Sequence, residues 1–596
     1  MSRRVAGARV LLPALPFPWW YIPLIVGTAG VAAGLPPAVG LGVAGALVGG
    51  VLVLRRPVWA VYALILSVPV QRELSLNGGA TATQAIMVAL LASWWAWTAV
   101  RRRAIRIPPF AVALGVYLVV MLLSLTVATS LPAGGAEISR WAVVVLAYLI
   151  IVNTVHSRAQ IGGLIACFLA GALGEALVGI WQVRTGQVPP SFFVGQGHAT
   201  EDLAPRAFGT IGMPNSYAGY LNLTLPLALA LSAYALVWAL RWWRRADLSP
   251  QPPPLKGEGP SSSPSPAMGG NWSPQADKLP RPRRGEGWGE GRTLLPSQTA
   301  GRLPPSDEVH LPGRDQATNV PPSPQPSPLR GEGARLALSP SLRRGGGRGV
   351  RSVAALALTA GTALMLVALV LSYSRGGFVG LAVGVGAMAV ALGRRGWPIL
   401  GTLAAGTLIA AGLIYAGLFP RPLVERLNNT LSQLQIYDVR GAEWNADTFA
   451  QVERLAHWQT AGNMFLSNPV LGVGIGNFNT DFFRFSIAGW PKSAGHAHNY
   501  YLQALAETGG LGLLAYLGVL AAAGWGGWRA VRGAVRAGRG WDSAVLIGAF
   551  GVFVAIMSHS IFEDLHVLNM GIHWAAVIAL FTLVPRLAAP QQEAST

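Results

Sequence analysis

Residues 353–395 read VAALALTAGTALMLVALVLSYSRGGFVGLAVGVGAMAVALGRR. Two apolar runs, 353–373 and 377–393, are parted by Arg375 and two glycines and closed by Arg394 and Arg395. Each run approaches the roughly 20 residues that a helix needs to cross a bilayer. Working outward, comparable runs stand near 17–35, 36–54, 57–70, 84–100, 108–130, 140–155, 161–183 and 214–240 on one side. Runs at 397–419, 501–525, 542–558 and 571–586 follow on the other. The pattern predicts an all-α polytopic membrane protein of about 12–14 transmembrane helices. Composition agrees: of 596 residues, 52% are hydrophobic and 12% charged. Ordinary globular chains carry about 25% charged residues, so an ordinary soluble enzyme is excluded. A single cysteine, Cys167, excludes a disulfide framework and a cysteine-based zinc site.

The net charge of +20 has a topological reading. With the N-terminus inside, one side of the membrane receives Arg3, Arg4, Arg55, Arg56, Arg101, Arg102, Arg103, Arg106, Arg158, Arg394, Arg395, Arg529, Arg532, Arg536, Arg539 and Arg586. That is the positive-inside pattern, in which anionic membrane lipids, not nucleic acid, are the partner of the charge. The chain then divides into N-terminal transmembrane helices at 1–240, an inner loop at 241–351, a core at 352–525 that includes a large outer loop at 420–500, and C-terminal helices and tail at 526–596. The inner loop is rich in Pro, Gly and Arg. It carries a near-repeat, SPQPPPLKGEG at 249–259 and SPQPSPLRGEG at 323–333. It has too little apolar surface to offset its ordering entropy, and we expect a disordered cytoplasmic loop. The outer loop has aromatic residues and helix-like stretches such as 451–465, and we expect it to fold over the mouth of the bundle.

Three segments place polar groups on the outer side. The first, 206–220, reads RAFGTIGMPNSYAGY; Arg206 precedes a turn-rich entry, and Asn215 and Ser216 are suited to cap the helix that follows. The second is Ser372-Tyr-Ser-Arg-Gly-Gly377, with Ser374 and Arg375 at a chain reversal. An arginine at membrane depth is costly unless paired or wetted, although one at a helix C-terminus can simply answer the dipole. The third, 495–510, reads GHAHNYYLQALAETGG. Asn499, Gln503 and Glu507 recur every four residues on one helical face, and His496 and His498 stand at its start. The positive end of the helix dipole disfavours imidazolium there, and a neutral imidazole is what a general base needs. A structural histidine pair is the plain alternative. No third metal ligand stands at diagnostic spacing, so no metal and no cofactor is expected. Gly472, Gly474 and Gly476 lack the context of a phosphate loop and read as a turn. Glu175, the acid inside a span, is either an interhelical hydrogen-bonding group or part of a polar path.

Two arginines can hold the roughly two negative charges of a diphosphate by bidentate hydrogen bonds. A neutral histidine can take the proton of an attacking hydroxyl. Together they fit transfer of a sugar from a lipid diphosphate.

The same residues carry a resemblance. SYSRGG, the Arg206…Pro214-Asn215 segment, the run Arg454…His457-Trp458…Asn468-Pro469…Gly472-x-Gly474-x-Gly476-Asn477-Phe478, and HAHNYYLQALAETGGLG are together similar to the O-antigen ligase / O-antigen polymerase superfamily. The resemblance is centred on 360–515, with Arg206 upstream. It implies a GT-C-like, metal-independent membrane glycosyltransferase with an undecaprenyl-diphosphate-linked glycan donor. The acceptor would be a hydroxyl on a glycan, on lipid A–core or on protein, and the active site would face the periplasm from the cytoplasmic (inner) membrane. Arg206 and Arg375 match the diphosphate-handling arginines and His498 the essential histidine. Asn215, Ser374, Asn499, Glu507, His496 and Arg454 are candidates for substrate binding. A surface-polysaccharide ligase is the favoured activity; a repeat-unit polymerase and a protein O-oligosaccharyltransferase are alternatives. A multi-pass transporter is the reading from another class, and it would require inverted repeats and a mid-membrane site.

Overall fold

The apolar runs become helices in a computed structural model of the chain, which describes residues 56–71, 82–100, 104–186, 206–246, 340–418, 436–445, 448–493 and 495–589. The spans expected at 17–35 and 36–54, and nearly all of the loop at 241–351, lie outside the described residues. Contacts divide the chain into one unit, 1–247 with 344–596, and another, 248–343; the first is described below.

In chain order its helices are α1 (Val58–Ser67), α2 (Ala82–Val100), α3 (Pro109–Ser124), α4 (Leu131–Thr154), α5 (Arg158–Thr185), α6 (Pro214–Asn222), α7 (Leu225–Ala246), α8 (Pro340–Leu371), α9 (Arg375–Ala391), α10 (Trp397–Tyr415), α11 (Phe449–Ser467), α12 (Phe478–Phe485), α13 (Tyr500–Arg536), α14 (Gly540–His559) and α15 (Met570–Ala588). Among the described residues nine helical stretches are long and apolar enough to cross a membrane, and three shorter apolar ones lie in α1, α2 and α9. The chain is an all-α polytopic membrane protein. Local chemistry sets the helix ends. Ser157 and Gln160 form a reciprocal capping box at the start of α5, and Gly186 closes that helix in the left-handed region.

Two spans differ from the sequence expectation. The run at 214–240 is two helices, because Pro226 cannot donate the backbone hydrogen bond that would continue α6 into α7. The run at 501–525 extends to Arg536, so the expected boundary at 525 falls inside α13; Gly509, at φ 65°, ψ −167°, interrupts the helix near its start.

α14 is sandwiched between α7 and α9. Lipid chains are as apolar as leucine, so helices in a bilayer associate by close packing rather than by hydrophobic exclusion, and small residues serve that best. Gly376, Gly380 and Gly384 stand four apart on α9 and face α14. A Cβ at Gly384 would lie 2.7 Å from the Gly551 carbonyl oxygen, and one at Gly380 would lie 2.8 Å from that of Ala555. Against α7, a Cβ at Gly548 of α14 would meet Leu227 Cα at 2.7 Å.

The two ends of the bundle have different chemistry. At one, Arg158 pairs with Asp542 at 2.9 Å and Arg586 binds the carbonyls of Val152 and Val155. At the other lie the segments around 206, 375 and 498. There the stretch 472–478 docks on the α3–α4 turn: Ser124 Oγ accepts from the Ile475 N–H at 3.1 Å, and Asn477 Oδ1 from the Ser130 N–H at 2.7 Å. Gly472, Gly474 and Gly476 turn this stretch at φ 66°, 95° and 75°, and a Cβ on Gly474 would sit 2.5 Å from Ala128. These glycines shape the stretch between α11 and α12 so that it docks on the α3–α4 turn.

Gly384→Val should overpack the α9–α14 contact and destabilise the protein by about 1–3 kcal/mol. Gly386→Val, where a Cβ meets nothing within 4 Å, is the control. Thermal unfolding of the detergent-solubilised variants checks this, and equal midpoints for the two would contradict the packing argument.

Candidate functional site

Arg206 reaches the site through a clamped turn. Gln182 on α5 accepts from the Gly209 N–H and donates to the Gly209 carbonyl, both at 2.9 Å. Glu175 accepts from the Thr210 N–H at 2.9 Å and from the Thr210 hydroxyl. Of its two sequence readings, the interhelical hydrogen-bonding one matches this geometry. Arg206 itself donates through Nε to the Ser372 carbonyl at 2.9 Å and through Nη2 to Asn215 Oδ1 at 3.5 Å. The Ala207 N–H binds the Leu371 carbonyl, so the first polar segment is stitched to the second.

Asn215 does not cap α6. Met213 holds the cap position with no side-chain bond, because Pro214 fills the first helical turn. The Asn215 amide nitrogen is turned inward instead and donates to Glu563 Oε2 at 2.9 Å.

Ser374 caps α9, accepting from the Gly377 N–H at 3.3 Å. Arg375 is the first residue of α9 and is half-buried. The residue before the cap, Tyr373, sits at φ 50°. A Cβ on Gly376 would be 2.6 Å from the His559 ring, so Arg375 emerges where α9 meets the end of α14 and the loop 560–569.

Asn499 caps α13, accepting from the N–H groups of Tyr501 and Leu502 at 2.9 and 3.1 Å. Gln503 and Glu507 follow on the same face, as the spacing predicts, but they bind the protein itself. Gln503 accepts from the Ala497 N–H at 2.8 Å and donates to Glu507 Oε1 at 2.9 Å. That oxygen also accepts from the Phe478 N–H at 3.0 Å. The polar face is therefore a brace between the histidine turn and the glycine-rich stretch.

His496 and His498 converge on one oxygen that the sequence reading left out. His496 Nε2 lies 3.3 Å and His498 Nδ1 3.5 Å from Glu563 Oε1. Glu563 is 4% exposed, in the loop between α14 and α15. Burial alone would raise its pKa. The contact with His498 and the charges of His498, His496 and Arg454 outweigh burial and hold it at about 2, so the carboxylate is ionised. Its only sequence signal is position: Glu563-Asp564 follows a span that ends on the same side as His498.

The two imidazoles differ. His496 Nδ1 accepts from the His498 N–H at 3.1 Å, and its Nε2 faces Glu563 at 3.3 Å. Both of its nitrogens are engaged. His498 turns Nδ1 toward the carboxylate at 3.5 Å, and neither of its ring nitrogens has a hydrogen-bond partner among the described residues. His498 also sits in the left-handed region, at φ 52°. Such a conformation costs a non-glycine residue on the order of 1–3 kcal/mol and persists only where the surroundings impose it. The His457 ring of α11 stands edge-on to His498, 5.7 Å between centroids. His457 is fully buried; burial lowers its pKa to about 4, against the opposing hydrogen bond to the Glu453 carbonyl. It is neutral at physiological pH.

His496, His498 and Glu563 also have candidate ligating atoms within 4.8 Å of one another. The third group that a cation would need is thus present in space although absent from the local spacing. Beside His496 opens a cavity of about 240 Å³ whose polar lining includes Glu137, Arg140, Asn479, Gln503, Glu507 and Asp564.

The site therefore draws on five places in the chain: 206–215, 372–375, 454–457, 496–507 and 563. Residues 360–517 match the family model described as O-antigen ligase. The match covers about a quarter of the chain, 158 of its 596 residues. That match supports a function of the O-antigen ligase and polymerase type, and the apolar helices are those of a multi-pass membrane protein. The O-antigen ligase segment contains Arg375, Arg454, His457, His496 and His498; Arg206, Asn215 and Glu563 lie outside it. No curated protein sequence matches the chain.

His457 binds a proton more readily unfolded, near its ordinary pKa of about 6.5, than folded, at about 4. Its neutral burial therefore costs nothing above pH 6.5, and stability falls as pH drops from 6.5 toward 4, by at most about 1.4 kcal/mol per pH unit. His457→Gln should flatten that acid-side decline in a denaturation series; an unchanged slope would show that His457 does not titrate on unfolding.

Proposed function

We propose that the protein is a metal-independent glycosyltransferase working at the outer face of the cytoplasmic membrane. It moves a glycan from an undecaprenyl-diphosphate-linked donor to an acceptor hydroxyl, as a surface-polysaccharide ligase. Repeat-unit polymerisation and transfer to protein hydroxyls use the same donor chemistry and differ in the acceptor. The observation that carries the reading is the hydrogen-bonded chain Arg206–Asn215–Glu563, with His498 Nδ1 3.5 Å from the same carboxylate. It couples a cationic group suited to a diphosphate to an imidazole suited to a hydroxyl.

The chemistry follows from the atoms. The Glu563 carboxylate, 3.5 Å from His498 Nδ1, favours the tautomer protonated on that nitrogen and leaves Nε2 to act as the base. His496, with both nitrogens occupied, positions the carboxylate. The acceptor oxygen attacks the anomeric carbon while His498 Nε2 takes its proton. The bond between that carbon and the diphosphate oxygen breaks, and undecaprenyl diphosphate leaves. A single displacement of this kind inverts the anomeric centre. Arg206 and Arg375 stabilise the charge that grows on the leaving group, and Arg454 adds positive potential near Glu563. Asn215 links the two halves. Ser374 and Asn499 act through the helix starts that they cap, and Glu507 joins the brace and also lines the cavity. The 240 Å³ cavity beside His496 is polar enough to admit an acceptor sugar.

The decisive experiment is reconstitution with a lipid-diphosphate glycan donor and candidate acceptors, read by mass analysis. His498→Ala and Arg375→Ala should lower transfer by a factor of about 10³ or more with the protein still inserted. Near-normal transfer by either would remove its assigned role. Arg375→Lys should also be impaired, since a point charge cannot reproduce the planar fork.

Transfer should persist in EDTA. Loss on chelation with recovery on adding zinc would instead make His496, His498 and Glu563 a metal site.

A further inference from the structure

The opposite end of the bundle holds a second built cavity, of about 350 Å³, with Trp94, Trp97, Thr98, Arg106, His156 and Arg586 among its lining residues. Four parts of the chain converge on it: the end of α2, the linker before α3, the α4–α5 turn and the end of α15. Its framework is fixed by hydrogen bonds. Asn153 accepts from the Arg106 N–H and donates to the Arg106 carbonyl, both at 2.9 Å, which anchors the linker to α4 through the main chain alone. Arg586 donates through Nη1 to the Val152 carbonyl at 2.8 Å and through Nη2 to that of Val155 at 2.6 Å, capping the end of α4. Arg586 still has N–H groups left over, because a guanidinium carries five.

The two guanidiniums lie within electrostatic range of each other, and no carboxylate lines the cavity. Neither arginine has a carboxylate partner among the described residues. Two like charges held about a shared polar cavity are repulsive unless an anion joins them, and arginine prefers the planar oxygen pairs of phosphate. Trp94 and Trp97 give the cavity an aromatic wall, and tryptophan is common where proteins meet the headgroup layer. The volume exceeds what a bare phosphate requires and falls within the range of small-ligand pockets.

From these observations we infer that the cavity binds the phosphodiester headgroup of an anionic phospholipid from the leaflet at the arginine-rich end. Arg106 and Arg586 grip the phosphate, and Trp94 and Trp97 flank the glycerol and the first part of the acyl chains. Such a lipid would tie the α2–α3 linker to the α4–α15 contact. This inference stands apart from the glycan-transfer reading, since it uses other residues at the other end of the bundle.

Arg586→Ala removes a helix cap and can fail to fold, so Arg106→Ala is the test variant; only its main chain enters the framework. The full chain would be purified, delipidated and titrated with phosphatidylglycerol, phosphatidylcholine or inorganic phosphate, with retained adducts read by native mass spectrometry. The wild type should retain phosphatidylglycerol at least fivefold better than phosphatidylcholine. Arg106→Ala should lose most of that preference while its thermal midpoint in phosphatidylcholine is unchanged. Equal retention of the two lipids, or a wild-type preference in Arg106→Ala, overturns the inference. So does arginine-dependent binding of inorganic phosphate without a preference for phosphatidylglycerol, which would make the cavity a free-phosphate site.

Discussion

Glu563 is a buried carboxylate whose two oxygens serve groups from distant parts of the chain. One accepts the Asn215 amide, and the other faces the imidazoles of His496 and His498. Burying a carboxylate costs several kcal/mol unless its charge is met by donors and cations. The converging segments supply both, and in return the carboxylate orients them. Arg206 is tied to the same point through Asn215, and the second segment is tied to Arg206 through the Ser372 carbonyl. The site thus depends on one ion and its partners more than on any single helix.

That ion can be reached only because the helices behind it approach so closely. The glycine row of α9 lets its backbone lie against α14, and the upper end of that contact places Arg375 next to His559 and the loop bearing Glu563. On the far side, the glycines at 472–476 bend the outer stretch onto the α3–α4 turn, and Glu507 anchors it from α13. Packing at membrane depth and polar bracing at the mouth are therefore two parts of one construction. Residues such as Asn499, Gln503 and Ser374 belong to the bracing, which holds the histidine turn and Arg375 in place.

The two ends of the bundle divide the labour of the arginines. At the site end Arg206 is bound to a carbonyl and to the amide of Asn215, which in turn meets the Glu563 carboxylate. At the other end Arg158 meets Asp542, while Arg106 and Arg586 share a cavity without an acid. The charge asymmetry read along the chain thus has a physical counterpart in which groups surround each guanidinium.

The sequence by itself determined the class of the molecule. Apolar runs of membrane-crossing length leave few architectures open, and the spacing of Asn499, Gln503 and Glu507 requires a common helical face whatever surrounds it. The segments around Arg206, Arg375 and His498 were legible as well, because costly polar groups at the ends of apolar runs stand out against their background. Tertiary structure alone decided what each polar group touches. The cap predicted at Asn215 gave way to a bond with Glu563, and the polar face of α13 is hydrogen-bonded within the protein while it also lines the cavity. Glu563 stayed hidden because its meaning lies in a meeting 65 residues from His498. Periodicity reports the face that a residue occupies on its own helix; the partner on that face is set by how helices and loops pack in three dimensions.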